Sequence, residues 1–203
     1  MADIRKTLSY RALSSEPLSM ISNIVKDRVY ESRYWKERCF ALNAETILDR
    51  AKALDCIGTT FGGFNRPTHF LCLLVKLLQI QPEIEIVQAY LDHSAGAASN
   101  DMHIQTCDLR YMRVLAAVYA RLICNSETVY CLLEPLLQDY RTLNVLTSNS
   151  SYSRITIDQL IEKLIFVDIE SPFDMIFPFI LERPTLVKRG VLRPFESILD
   201  LEG

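Results

Sequence analysis

Pro67-Thr-His-Phe-Leu-Cys-Leu-Leu-Val-Lys-Leu-Leu-Gln-Ile-Gln-Pro82 is the stretch whose reading decides the fold. Proline has a fixed φ and no N–H, so Pro67 suits a first helical turn and Pro82 closes one helix and opens the next. Between them Phe70, Leu71, Leu74, Leu77 and Leu78 recur at the i, i+3, i+4 spacing of a single helix face. The stripe predicts a central core helix. Its longest apolar run stops at Lys76, far short of the roughly 20 residues needed to cross a bilayer.

Helical spacing continues on both sides. Upstream, Met20, Ile21, Ile24, Val25 and Val29 share a face opposite Lys26, Asp27 and Glu31, whereas residues 1–17 have no such face and read as a loose arm. Asn43 reads as the N-cap of a second helix, with Leu42 and Ile47 as a hydrophobic staple and Ile47, Leu48, Ala51 and Leu54 buried. Downstream, Ile86, Val87, Tyr90 and Leu91 extend the pattern, and residues 92–106 read as an exposed loop. Met112, Leu115, Ala116, Tyr119 and Leu122 mark another helix. Val129, Leu132, Leu133, Leu136, Leu137 and Tyr140 mark one more, which Pro135 should kink or split.

Near residues 144–155 a Ser, Thr and Asn rich stretch ends in a short β-type run, a hairpin or a plain loop. Thr156-x-x-Gln159 reads as a capping box before Ile157, Leu160, Ile161, Leu164 and Ile165. Ser171-Pro-Phe-Asp174 should open a last helix, with Pro178 inside it. The expectation is an all-α fold: one compact multi-helix domain over residues 18–203, with room for that short hairpin.

Composition agrees with a folded chain. At 203 residues, 49% apolar and 23% charged, it is long enough for one domain with a full core and far from the signature of disorder. A net charge of −3 gives no general attraction for nucleic acid, so any RNA contact has to be local. The six cysteines include no Cys-x-x-Cys pair, and Met1-Ala-Asp-Ile-Arg-Lys6 lacks an apolar signal region. A soluble intracellular protein with reduced thiols is expected.

The chemistry-bearing residues do not assemble into a reaction. Gly58-x-x-x-x-Gly63 has phosphate-loop spacing, but Phe64 and Asn65 stand where Lys and Ser or Thr are required, so the glycines read as a turn. His69 has no Asp, Ser or Cys at catalytic spacing, and His103-x-x-x-Cys107 is a weak metal signal. No catalytic residue, metal or cofactor is nominated, and the chain reads as a non-enzyme. The enzymatic alternative is a metal-dependent activity drawing on His69, His93, His103 and nearby cysteines.

Tyr30-Glu-Ser-Arg-Tyr-Trp-Lys-Glu37 points instead to binding, since Tyr, Trp and Arg are enriched at interface hot spots. Core packing is favoured for Trp35 over an exposed anchor, because large aromatics are mostly buried. Around it Lys26, Arg28, Arg33, Lys36 and Arg38 alternate with Asp27, Glu31 and Glu37, a local basic ridge suited to an acidic partner helix or to RNA phosphate. The partner-binding candidates are Arg28, Arg33, Tyr34, Trp35, Lys36 and Arg38, with Phe61, Phe64 and Arg66 from the glycine turn.

At these residues the chain resembles the pre-mRNA-splicing factor 38 family, which carries a segment much like Tyr30 to Glu37. The resemblance continues in order through Gly62-Gly63, Pro67-Thr68, Phe70-Leu-Cys72, Leu78-Gln-Ile-Gln-Pro82, Arg110-Tyr-Met-Arg113, Tyr119, Arg121-Leu122, Leu133-Glu-Pro-Leu136 and Asp139-Tyr-Arg141. It runs from about Ile24 to Arg183. It implies a helical, nuclear, non-enzymatic scaffold of the tri-snRNP or precatalytic spliceosome, required for activation. The implied partners are a long charged helical splicing protein and a small zinc-finger splicing protein, close to the small nuclear RNAs. A direct small nuclear RNA contact through the basic ridge is the alternative. The chain is expected to be monomeric on its own, these 203 residues include no Arg-Ser-rich tail of the kind some members carry, and the 92–106 loop is longer than the resemblance implies.

Overall fold

The computed structural model describes residues 17–93, 109–166, 173, 175 and 177–194. A 3-10 turn, Pro17–Met20, leads into helix α1, Asn23–Glu31. Ser22 caps α1, its Oγ accepting from the Val25 N–H at 3.4 Å. Ile21 and Val29 are buried, but Ile24 is 74% exposed. The apolar face read from Met20 to Val29 is therefore narrower than its spacing suggests: Ile21 precedes the helix, and Ile24 is turned to solvent. At Ser32 the backbone is extended, and Ser32 Oγ donates to the Val29 carbonyl (2.7 Å) while accepting from the Trp35 N–H (3.2 Å). This corner opens a single π-helical turn, Trp35–Cys39, that buries both its end residues.

Helix α2 is Ile47–Ala51 and begins later than Asn43. Asn43 closes a turn of its own: its Oδ1 accepts from the Thr46 N–H at 2.8 Å, and Thr46 Oγ1 accepts from the Asn43 N–H at 3.0 Å. Strands β1, Thr60–Phe61, and β2, Arg66–Pro67, then pair antiparallel. Pro67 thus belongs to a strand and not to the first helical turn. Helix α3, His69–Ile80, is capped by the next residue, Thr68, whose Oγ1 accepts from the Leu71 N–H (3.1 Å) and donates to the Gly58 carbonyl (2.7 Å).

Helix α3 is the central helix that the stripe predicts, buried at Phe70 through Val75 and at Leu77 and Leu78. It stops where Gln81 turns left-handed at φ +49°. Pro82 then leads into α4, Ile84–His93. Helix α5, Arg110–Ile123, is buried from Tyr111 to Ile123 and packs against α3 and α4. Two of its arginines are inside with it. Arg113 Nε donates to the Leu91 carbonyl at 2.9 Å, and Arg121 Nε donates to the Leu164 carbonyl at 2.7 Å. Each thereby satisfies a last-turn carbonyl of another helix, which has no partner within its own helix. Burial lowers the pKa of Arg121 to about 10.

Helix α6, Ser126–Leu133, capped by Asn125 Oδ1 on the Thr128 N–H, passes at Pro135 into a 3-10 turn, Glu134–Gln138, the split that the proline predicts. Strands β3, Thr142–Leu146, and β4, Tyr152–Thr156, form the hairpin, in register from Thr142↔Thr156 to Leu146↔Tyr152. Ile57 docks on β3, donating to the Asn144 carbonyl and accepting from the Leu146 N–H, both at 2.8 Å. Helix α7, Ile157–Ile165, follows directly and buries its predicted stripe. The Thr156 N–H donates to Gln159 Oε1 at 3.4 Å, one arm of the predicted capping box.

The loop beyond His93 and, apart from Phe173, the start expected at Ser171 to Asp174 lie outside the described residues. Phe177 to Leu181 are not helical, and the last helix among the described residues, α8, is Arg183–Lys188. Pro178 therefore does not sit inside a helix, consistent with its missing N–H and the extended bias it imposes on the preceding residue. Among the described residues no helix is long and apolar enough to cross a membrane.

Candidate partner-binding groove

The corner at Ser32 and the tip of the β1–β2 hairpin face one another, and the space between them is a groove of about 640 Å³. Arg28 and Glu31 from α1, Ser32, Arg33 and Tyr34 from the corner, Phe61 and Phe64 to Pro67 from the hairpin, and His69 at the start of α3 line it. The backbone builds it in two ways. Gly62 adopts φ +71° at the turn, where a left-handed conformation is needed, and its N–H donates to the Ser148 carbonyl at 2.9 Å, so the β3–β4 turn buttresses the tip. From the other wall, Arg28 Nη1 donates to the Phe64 carbonyl at 3.2 Å and ties α1 to the hairpin.

The groove combines flat rings and positive charge. Tyr34 stacks on His69 with ring centroids 4.0 Å apart and planes 15° from parallel. Burial pushes the Tyr34 hydroxyl up to about 12, so it stays a neutral hydrogen-bonding group near neutral pH. Phe64 stands 75% exposed on the rim. Arg33 Nε donates to Glu37 Oε1 at 2.7 Å on the open surface, a contact that raises its pKa. Arg66 is exposed, with no ion-pair partner among the described residues.

Six of the nine candidates, Arg28, Arg33, Tyr34, Phe61, Phe64 and Arg66, thus come together across more than thirty positions of chain. The other three do not line the groove. Lys36 and Arg38 are exposed on the π-turn. Trp35 is only 7% exposed, edge-on to Tyr30 at 5.1 Å with Lys76 Nζ 5.7 Å from its ring centroid. It packs beneath the corner instead of standing on the surface as an anchor. Asn65 lies within the Phe61 to Arg66 turn that the sequence singles out, and the residues that sequence spacing missed are Glu31, Ser32, Pro67 and His69. His69 reads as an isolated imidazole in the sequence, and no local signal pairs it with Tyr34, which lies thirty-five positions away.

No three His, Cys, Asp or Glu side chains gather to hold a metal among the described residues. His103 and Cys107 lie outside them. Cys39 and Cys72 are buried, and burial pushes their thiols up to about 12 and about 11, away from the thiolate form a nucleophile needs.

Fold and groove together define a mostly helical protein with a cationic, aromatic cleft on its surface. The chain belongs to the PRP38 family, whose family model matches residues 12–190. It is 38% identical over 200 residues to pre-mRNA-splicing factor 38 of Arabidopsis thaliana, which covers 98% of this chain and 52% of that protein. It is 36% identical over 186 residues to pre-mRNA-splicing factor 38A of Danio rerio, and 35% identical over 186 residues to that of Homo sapiens, each covering 92% of this chain and 55% of the relative. The chain therefore spans about half the length of these relatives. A chain of the crystal structure of the Snu23-Prp38-MFAP1(217-258) complex of Chaetomium thermophilum superposes with a TM-score of 0.79 at 31% identity, covering 94% of this chain and 91% of that one. The family resemblance and the helical fold expected from the sequence both hold.

Proposed function

We propose that this chain is a non-enzymatic scaffold of the spliceosome that acts in the nucleus in pre-mRNA splicing and holds other splicing proteins. Its place is the tri-snRNP or the precatalytic spliceosome, where it is required for activation. The observation that carries this reading is the match, over 94% of the chain, to a protein crystallised in a complex with other proteins. Identity of 35–38% to proteins named as splicing factors supports it from the sequence side. The partners are a long charged helical splicing protein and a small zinc-finger splicing protein, and residues 18–203 act as one binding domain. Arg28, Arg33, Tyr34, Phe61, Phe64 and Arg66 form the contact surface, and a helix laid in a groove is the recognition mode their arrangement suits.

The test is capture of the tagged protein from nuclear extract at moderate salt, with identification of the co-purifying proteins and RNAs. Recovery of splicing proteins with the tri-snRNP RNAs is the expected result; a solitary protein at every salt concentration contradicts the reading. Direct RNA binding by the basic ridge gives a different signature, a log affinity that falls with log salt by about 0.7 per single-strand phosphate neutralised.

A further inference from the structure

We infer that the groove between Ser32 and the β1–β2 hairpin takes an acidic peptide segment of a protein partner, its carboxylates meeting Arg33 and Arg66 and an apolar side chain between them packing on Phe64 and Phe61. This rests on the scaffold reading and adds the chemistry of the occupant. The first support is charge. Three arginines and one glutamate line the groove, and Arg66 is exposed with no ion-pair partner among the described residues. Among the described residues Arg33 is held only by an open contact with Glu37, in which its side chain is 87% exposed. Such surface pairs are worth about 0–1 kcal/mol, so a partner carboxylate can replace Glu37 at little cost.

The second support is shape. The volume of about 640 Å³ suits a few side chains of a peptide. The lining is already set: Arg28 holds the hairpin through the Phe64 carbonyl, and Tyr34 and His69 are stacked on one another. A preorganised groove avoids part of the ordering cost of association. Phe64, 75% exposed beside the arginines, is the apolar contact such a peptide would cover.

The carboxylate already present decides between a peptide and RNA. Glu31 lines the groove among the arginines, so a continuous phosphate backbone would run against it. A peptide can place its few acidic residues over the arginines and neutral ones over Glu31. Charge complementarity of this kind sets partner choice and association rate more than total affinity.

The experiment places a benzophenone photo-crosslinking amino acid at Phe64 in the full chain, irradiates it in nuclear extract, and sequences the crosslinked species by mass spectrometry. The charge-reversed double variant Arg33→Glu and Arg66→Glu is run beside it, with Arg189→Glu, exposed and outside the groove, as the control. The expected result is a crosslink to an acidic peptide segment of a co-purifying protein, reduced about tenfold or more by the double reversal and unchanged by the control. A crosslink to RNA or to a basic segment overturns the inference. So does co-purification of splicing proteins with no crosslink at Phe64, which leaves the scaffold reading standing. If no splicing protein co-purifies, the scaffold reading fails and this inference fails with it.

Discussion

Asp139→Asn is the sharpest test of how this fold is held. Asp139 sits between two arginines: Arg113 Nη1 donates to its Oδ2 at 2.7 Å, while Arg141 donates from Nε to Oδ1 at 2.9 Å and from Nη2 to Oδ2 at 2.6 Å. The Arg113 and Asp139 side chains are 9% and 8% exposed. Burial alone would raise the carboxyl pKa, but the hydrogen bonds from Arg141 and Arg113 overcome it and hold the group below the usual carboxylate range. Asparagine keeps the volume and one acceptor but removes the charge that Arg113 and Arg141 meet at this position. Breaking a buried pair in this way costs about 3–5 kcal/mol, and the near-isosteric change belongs at the low end, about 3 kcal/mol. For a chain of this size that corresponds to a fall in melting temperature of roughly 6–12 °C.

The pH dependence gives an independent check. Because the folded pKa of Asp139 is depressed, its stabilisation is fully present above the unfolded value, about 4, and is lost as pH falls through the folded value. Urea unfolding of wild type and Asp139→Asn at pH 7 and at several acid pH values should show the gap closing below about pH 4. A gap under about 0.5 kcal/mol at pH 7, or one unchanged into strong acid, refutes the proposed role of the triad.

Three further outcomes follow from the same structure. Gly58→Ala should destabilise by more than about 2 kcal/mol in urea unfolding, because φ is +150° and an added Cβ would lie 2.5 Å from the Leu146 backbone carbonyl; a neutral effect would mean that β3 yields easily. Thr68→Val should cost about 1–3 kcal/mol by removing a buried cap that bonds both the Leu71 N–H and the Gly58 carbonyl, with loss of amide-exchange protection at Leu71 as the local sign. Trp35→Ala should cost about 3–5 kcal/mol in chemical unfolding, as expected for a buried aromatic; an intact stability with lost partner capture would instead restore the exposed-anchor reading.

The sequence by itself determined those features that rest on neighbours within a few positions. Phe70 to Leu78 was legible as the core helix because helical period and local apolarity suffice, and the break at Pro135 because a missing N–H acts wherever it is placed. The order of motifs from Tyr30 to Arg141 was enough to indicate the family. The tertiary structure decided what depends on long-range partners. Pro67 fits a helical turn or a strand equally well, and the pairing of Thr60 with it settles the matter. Trp35 and Tyr34 are adjacent in the chain, yet one packs inward beside Tyr30 and the other stacks on His69 at the groove. The groove itself arises because the extended residue Ser32 turns the chain at the point where the β1–β2 hairpin meets α1, and contacts between segments over thirty residues apart leave no periodicity in the sequence.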